Sequence, residues 1–276
     1  MTKNANLITG RTAVLIAAVS FAAILSLAVF AVACDDCGSD GAGGDVGTKF
    51  DFEGMKYEVT SKGPGKNYAA LVKGKDGAVV IPEFAKAGVI EYKVTEIKDS
   101  AFDLCDTVSV VMPDSIRTIG HKAFFSITEL NSVIMSKGLN SIGSYAFSAC
   151  NSLKSIDIPE GTTSIGDYAF ESCSSLDLIK IPASLSSIGY AAFTGISKSA
   201  YFTVSEGSTK YKSVDGALFN ASMDTVIKGR NSDTFAIPSS VKTIACYAFA
   251  GCNFTSVTIP AGATSIGKGH SPIAFC

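Results

Sequence analysis

Between residues 97 and 249 one short phrase occurs six times. Ile97-Lys-Asp-Ser-Ala101-Phe102 returns as Ile119…Ala123-Phe124, Ile142…Ala146-Phe147, Ile165…Ala169-Phe170, Ile188…Ala192-Phe193 and Ile244…Ala248-Phe249. The isoleucines advance by 22, 23, 23 and 23 residues before one longer interval. A second phrase keeps the same beat, at Met112-Pro113, Met135, Ile158-Pro159, Ile181-Pro182, Val204, Ile237-Pro238 and Ile259-Pro260. Such a fixed short period predicts stacked supersecondary units, none able to bury its apolar face alone.

The cleanest unit runs from Leu153 to Cys173. Ile156 and Ile158 alternate with Ser155 and Asp157, so one pair points inward and the other to solvent. Pro159 lacks the N–H that a continued ladder requires and ends the strand. Ile165, Ala169 and Phe170 are spaced i, i+4, i+5, which predicts one short helical turn with all three inside. Cys173 enters the core at the next bend.

These residues resemble the BspA-like class of leucine-rich repeats, whose phrase runs Leu-x-x-Ile-x-Ile-Pro, a short gap, then Ile-Gly-x-x-Ala-Phe-x-x-Cys. The resemblance covers residues 50–276 and implies a solenoid of one short strand plus a short helical turn per 22–23-residue coil. Phe50-Asp-Phe52-Glu-Gly54 through Val59, and Ile81-Pro82 with Tyr92-Lys-Val94-Thr95, are similar to the segment that precedes such repeats. The expected organisation is a β-rich cap over 50–95 and the solenoid over 96–276. A hairpin insertion is expected near 205–230, because Asp215-Gly216 stands between Val214 and Leu218. In the last unit four additional residues separate Ile266-Gly267 from Ala274-Phe275-Cys276.

The N-terminus follows different rules. Lys3 and Arg11 precede an uncharged stretch from Thr12 to Ala33, and Asp35-Asp36 follow it. Twenty-two residues suit a spanning helix better than a signal peptide's shorter apolar region. Residues 1–11 then form a cytoplasmic stub, 12–33 a transmembrane or signal-anchor helix and 34–49 a flexible acidic tether. Two other readings stay open. Phe30-Ala-Val-Ala33-Cys34 resembles a bacterial lipoprotein cleavage site, in which Cys34 carries the lipid, although Ala31 stands where Leu is usual. Cleaved secretion is the third, and all three readings export the protein.

The net charge of −2 and the lack of a Lys/Arg stripe exclude a phosphate-neutralising nucleic-acid binder. Cys105, Cys150, Cys173, Cys252 and Cys276 share one repeat slot with Ile127 and Ile196, which marks a small buried apolar site. Cys150 and Cys173 stand one coil apart, within disulfide range, but with parallel side chains. Cys34-Asp-Asp-Cys37 has redox-motif spacing without strand–helix context. His121 and His270 lie in turns of separate units, and no catalytic set, metal site or cofactor loop can be assembled from the chain. Asn220-Ala-Ser222 and Asn253-Phe-Thr255 match the glycosylation pattern.

The outward strand positions remain. They run Ser109 and Val111, Ser132 and Ile134, Ser155 and Asp157, Leu178 and Lys180, Tyr201 and Thr203, Thr234 and Ala236, Ser256 and Thr258. Within this row Ile134, Asp157, Leu178, Lys180, Tyr201 and Thr203 form the candidate binding face, an apolar and aromatic patch among polar groups. The same hydroxyl-rich composition also follows from strand propensity alone. The reading is a non-enzymatic, membrane-tethered extracellular repeat protein that binds a protein or glycan on another surface. The resemblance adds adhesion to that reading. The alternatives are a structural cell-envelope component and the non-catalytic part of a longer surface enzyme.

Overall fold

The computed structural model describes residues 44–232, 235–252 and 256–267. The expected segments 1–11 and 12–33, Cys34, Cys37, Asn253, His270 and Cys276 lie outside them. Among the described residues no helix is long and apolar enough to cross a membrane.

The described residues begin with six strands, β1 (Lys49–Phe52), β2 (Met55–Ser61), β3 (Tyr68–Lys73), β4 (Gly77–Val80), β5 (Phe84–Ala87) and β6 (Ile90–Ile97). β1, β2 and β3 pair antiparallel in succession, and β3 then pairs in parallel with β6, setting Leu71 beside Ile97. From there the coils stack two columns of short parallel strands. One column holds β7 (Thr107–Val111), β9 (Ser132–Ile134), β11 (Ser155–Asp157), β13 (Leu178–Ile181) and β15 (Tyr201–Val204). The other holds the two-residue strands β8 (Thr118–Ile119), β10 (Ser141–Ile142), β12 (Ser164–Ile165) and β14 (Ser187–Ile188), which continue the sheet that starts at β1.

The apolar positions of each coil converge on one axis. Leu153, Ile156, Ile158, Ile165, Ala169, Phe170 and Cys173 are all buried. An inward position outside the two phrases joins them at Ile116, Leu139, Thr162 and Leu185. Thr162 is tolerated there because its hydroxyl donates to the Leu139 carbonyl, 3.2 Å away. Phe102, Phe124, Phe147, Phe170 and Phe193 stack into one column, with successive centroids 4.5, 5.0, 5.4 and 5.5 Å apart. The glycine after Ile119, Ile142, Ile165 and Ile188 serves close approach: a Cβ on Gly166 would lie 2.4 Å from the Ser144 nitrogen.

The expected helical turn is not formed. Ile165, Ala169 and Phe170 do face inward, but through linked turns in which Tyr168 and Ser172 take φ of 56° and 57°. Left-handed residues four apart cannot belong to a right-handed helix. The backbone donors of this stretch also leave their own coil: Tyr145, Phe147 and Ala149 bond the carbonyls of Asp167, Ala169 and Glu171. The coil is therefore strand and turn throughout.

At the longer interval β16 (Tyr211–Val214) and β17 (Ala217–Asn220) form an antiparallel hairpin. Asp215 and Gly216 both have positive φ, 49° and 78°, which a two-residue loop of this hand requires. β17 pairs with β18 (Thr225–Lys228), which pairs in parallel with β19 (Thr243–Ile244), and β19 with β20 (Ser265–Ile266). Leu218 enters the first core, whereas Ala217 and Phe219 join a second core with Val226, Val241, Ile244 and Phe249.

Candidate binding surface

The outward positions of the strand column fall into two separate three-stranded sheets, β4-β7-β9 and β11-β13-β15, with no ladder between β9 and β11. The face is thus not one continuous row. On the first sheet Val80, Val111 and Ile134 stand in register, and Val80 and Ile134 are 64% and 59% exposed. On the second, Ser155, Leu178 and Tyr201 form one rung series and Asp157, Lys180 and Thr203 the next. These residues line a shallow groove of about 310 Å³. Asp157, Leu178, Lys180, Tyr201 and Thr203 come together there, and Ile134 does not.

Chemically the groove pairs an apolar edge with a polar one. Leu178 is 58% exposed for a large aliphatic side chain with no core contact to make. The Lys180 ammonium lies 3.4 Å from the Asp157 carboxylate, both well exposed, so the pair contributes under about 1 kcal/mol and stays available to a partner. Tyr201 is the more constrained group. The Arg230 guanidinium sits over its ring at 5.4 Å, and a Cβ on Gly216 would lie 2.4 Å from its Cδ2. The Phe202 N–H also donates to the Gly216 carbonyl at 3.0 Å, so the hairpin covers the outer edge of β15.

The other singled-out residues are structural. Cys105, Cys150, Cys173 and Cys246 are free thiols. The Cys150 and Cys173 thiols donate to the Phe124 and Phe147 carbonyls at 3.1 and 3.0 Å, which aims both sulfurs at backbone rather than at each other. Burial pushes the Cys173 thiol up to about 12 and raises Cys150 as well. Asn220 holds a turn: its amide donates to Asp224 at 2.6 Å and its oxygen accepts from the Asp224 and Thr225 N–H groups.

A second aromatic feature was not singled out in the sequence. His121, Tyr145, Tyr168, Tyr190 and Tyr247 form an outer column, with successive centroids 5.7, 4.8, 5.5 and 5.8 Å apart. Its signal was the tyrosine just before Ala-Phe at Tyr145, Tyr168 and Tyr247, and one residue earlier at Tyr190. The Lys122 ammonium lies over both Phe125 and Tyr145, 5.2 and 5.7 Å from the ring centres.

The model of the BspA-type leucine-rich repeat region matches residues 95–223 and 224–270, in 6 copies. The chain belongs to this family. Among solved structures the pneumococcal vaccine antigen PcpA is 23% identical, with a TM-score of 0.59, over 81% of this chain and 67% of that one. A leucine-rich repeat protein from Eubacterium ventriosum is 23% identical, with a TM-score of 0.58, over 77% of this chain and 59% of that one. A Bacteroides ovatus leucine-rich repeat protein is 26% identical, with a TM-score of 0.54, over 79% of this chain and 54% of that one. The chain thus spans little more than half the length of the last two. No curated protein gives a match. These BspA-type matches indicate no enzyme family.

Proposed function

We propose that this BspA-type chain is a non-catalytic adhesion module, exported and held at a cell surface by residues 12–33, and that it binds a protein through the β11-β13-β15 groove. The exposed Leu178 beside the Asp157–Lys180 pair, on a rigid sheet, carries the reading. Parallel strands about 4.8 Å apart fix these groups before any partner arrives, so little ordering cost remains on binding. An apolar anchor flanked by opposite charges suits a protein surface.

The test is capture of surface proteins by the full chain, followed by titration of the captured partner. Leu178→Ala should weaken that partner about tenfold, near 1.4 kcal/mol, and leave the melting temperature unchanged. Normal binding by Leu178→Ala together with normal binding by Lys180→Glu would remove the groove from consideration. Protease added to intact cells should digest the solenoid; full protection until lysis would remove the surface placement.

A further inference from the structure

Three successive coils each hand three backbone N–H groups to the coil after them. Lys122, Phe124 and Ser126 donate to Ser144, Ala146 and Ser148 at 3.0, 2.8 and 2.8 Å. Tyr145, Phe147 and Ala149 donate to Asp167, Ala169 and Glu171 at 2.9, 2.8 and 2.7 Å. Tyr168, Phe170 and Ser172 donate to Tyr190, Ala192 and Thr194 at 2.9, 2.8 and 2.7 Å. Ala191, Phe193 and Gly195 hold the same three places in the next coil. Their backbone keeps the donor shape, with φ of 52° at Ala191 and 69° at Gly195 against 56° and 57° at Tyr168 and Ser172. Yet none of these three N–H groups meets an acceptor among the described residues.

The cause is the insertion. After β15 the chain leaves to build the hairpin, and β18, where the second stack begins, pairs with β19 and not with β14. A cavity of about 250 Å³ opens at the junction, with Tyr190, Ala191 and Phe193 on one side and Ile227, Cys246 and Tyr247 on the other. Tyr190 and Tyr247 meet edge to face across 5.8 Å. Ala191 and Gly195 are half-buried and Phe193 is only 4% exposed, and an unpaired backbone donor at a buried position such as Phe193 is rare in native proteins because its desolvation goes uncompensated.

We propose that Ala191, Phe193 and Gly195 form a docking edge for a peptide segment of a partner protein, which continues the solenoid's backbone ladder for one rung. The preceding coils show what fits: in three of them these donors are met by carbonyls of alternate residues in a following segment. A single anion is a poorer match, because donors two residues apart along a line reach three separate oxygens rather than converging on one. Main-chain bonds of this kind supply affinity, and the neighbouring cavity supplies selectivity for the side chain that enters it. The edge is distinct from the β11-β13-β15 groove, so either can fail without the other.

The probe is a synthetic peptide with the sequence of residues 164–172, whose own carbonyls at Asp167, Ala169 and Glu171 satisfy the donors of the coil before them. Hydrogen exchange is followed by NMR on the full chain, and alkylation of Cys246 is followed by peptide mapping. Saturating peptide should slow exchange at Ala191, Phe193 and Gly195 by about tenfold or more, and slow Cys246 alkylation with the same midpoint. Leu178→Ala should leave both effects intact. The proposal is overturned if millimolar peptide changes neither readout. It is also overturned if the three amides exchange as slowly as those of Tyr168, Phe170 and Ser172 without peptide. Protection that instead grows with protein concentration would assign the edge to a second copy of this chain and overturn the partner segment.

Discussion

Lys228 donates to the Ala250 carbonyl at 2.9 Å from a position where only 6% of the residue is exposed. The same arrangement stands at the start of the first stack, where the Lys73 ammonium donates to the Asp103 carbonyl. In both places a glycine follows the lysine and lies against the next coil's phenylalanine: Gly74 against Phe102 and Gly229 against Phe249. Both glycine N–H groups donate to the alanine just before that phenylalanine, Ala101 and Ala248. The second stack therefore starts with a strand, β18, that repeats the lysine–glycine ending of β3, and a separate core begins beyond the hairpin.

Burial lowers the Lys228 pKa from its ordinary value. The charged form then costs the folded state, fully below the lowered folded value and less as pH rises through it toward the unfolded one near about 10.4. Lys228→Met removes the charge and keeps the packing volume. It should be more stable than the parent by on the order of 1 kcal/mol near neutrality, with the advantage shrinking in alkaline buffer. Denaturant melts of both proteins across that range check the sign.

The Cys173 thiol behaves oppositely. Its folded pKa of about 12 lies above the unfolded value, so its contribution is complete below about 8.5 and is lost as pH rises from there to about 12. The slot accepts Ile127 and Ile196 elsewhere, so Cys173→Val should fold. The variant should lose less stability per pH unit over that window than the parent, by up to about 1.4 kcal/mol per unit. Equal alkaline slopes for the two proteins would contradict the burial assigned to this sulfur.

Phe170 is fully buried between Phe147 and Phe193, with ring planes within 2° of both. Phe170→Ala should cost about 3–5 kcal/mol. Lys154→Ala, on an exposed position of the same coil, should stay within about 0.5 kcal/mol. Thermal melts of the two variants distinguish core from surface in one experiment.

Which residues point inward was legible from the repeat, because Ile165, Ala169 and Phe170 recur together whatever backbone carries them. The backbone itself was not. Helical spacing and a run of turns place the same three side chains inside, and the left-handed residues at Tyr168 and Ser172 carry no glycine to announce them. Their hydrogen-bond partners also lie a full repeat away, beyond any local pattern. For the groove, strand alternation brought Asp157, Leu178, Lys180, Tyr201 and Thr203 onto one face. It could not show that Arg230 and Gly216 would close over Tyr201, because that contact arises where the insertion folds back. The unmet donors at Ala191, Phe193 and Gly195 were invisible for the same reason.

Gly229 offers the sharpest check on the division of the core. A Cβ there would lie 2.0 Å from Cε1 of Phe249, a ring that is 4% exposed and has little room to move. Gly229→Ala must displace that ring, and overpacking of this kind typically costs about 1–3 kcal/mol. The second core holds Phe219, Val226, Val241, Ile244 and Phe249, and the hairpin gives Tyr211 and Leu218 to the first. Loss should therefore concentrate in the second stack: amides over residues 225–252 should exchange faster, while those over 97–172 keep their protection. Gly74→Ala makes the reciprocal case, since its Cβ would lie 2.3 Å from the Phe102 ring at the head of the long stack. That variant should loosen the first stack and leave the second the less affected. A uniform rise in exchange along both stacks after Gly229→Ala would mean that the solenoid opens as one unit and that the hairpin does not divide it.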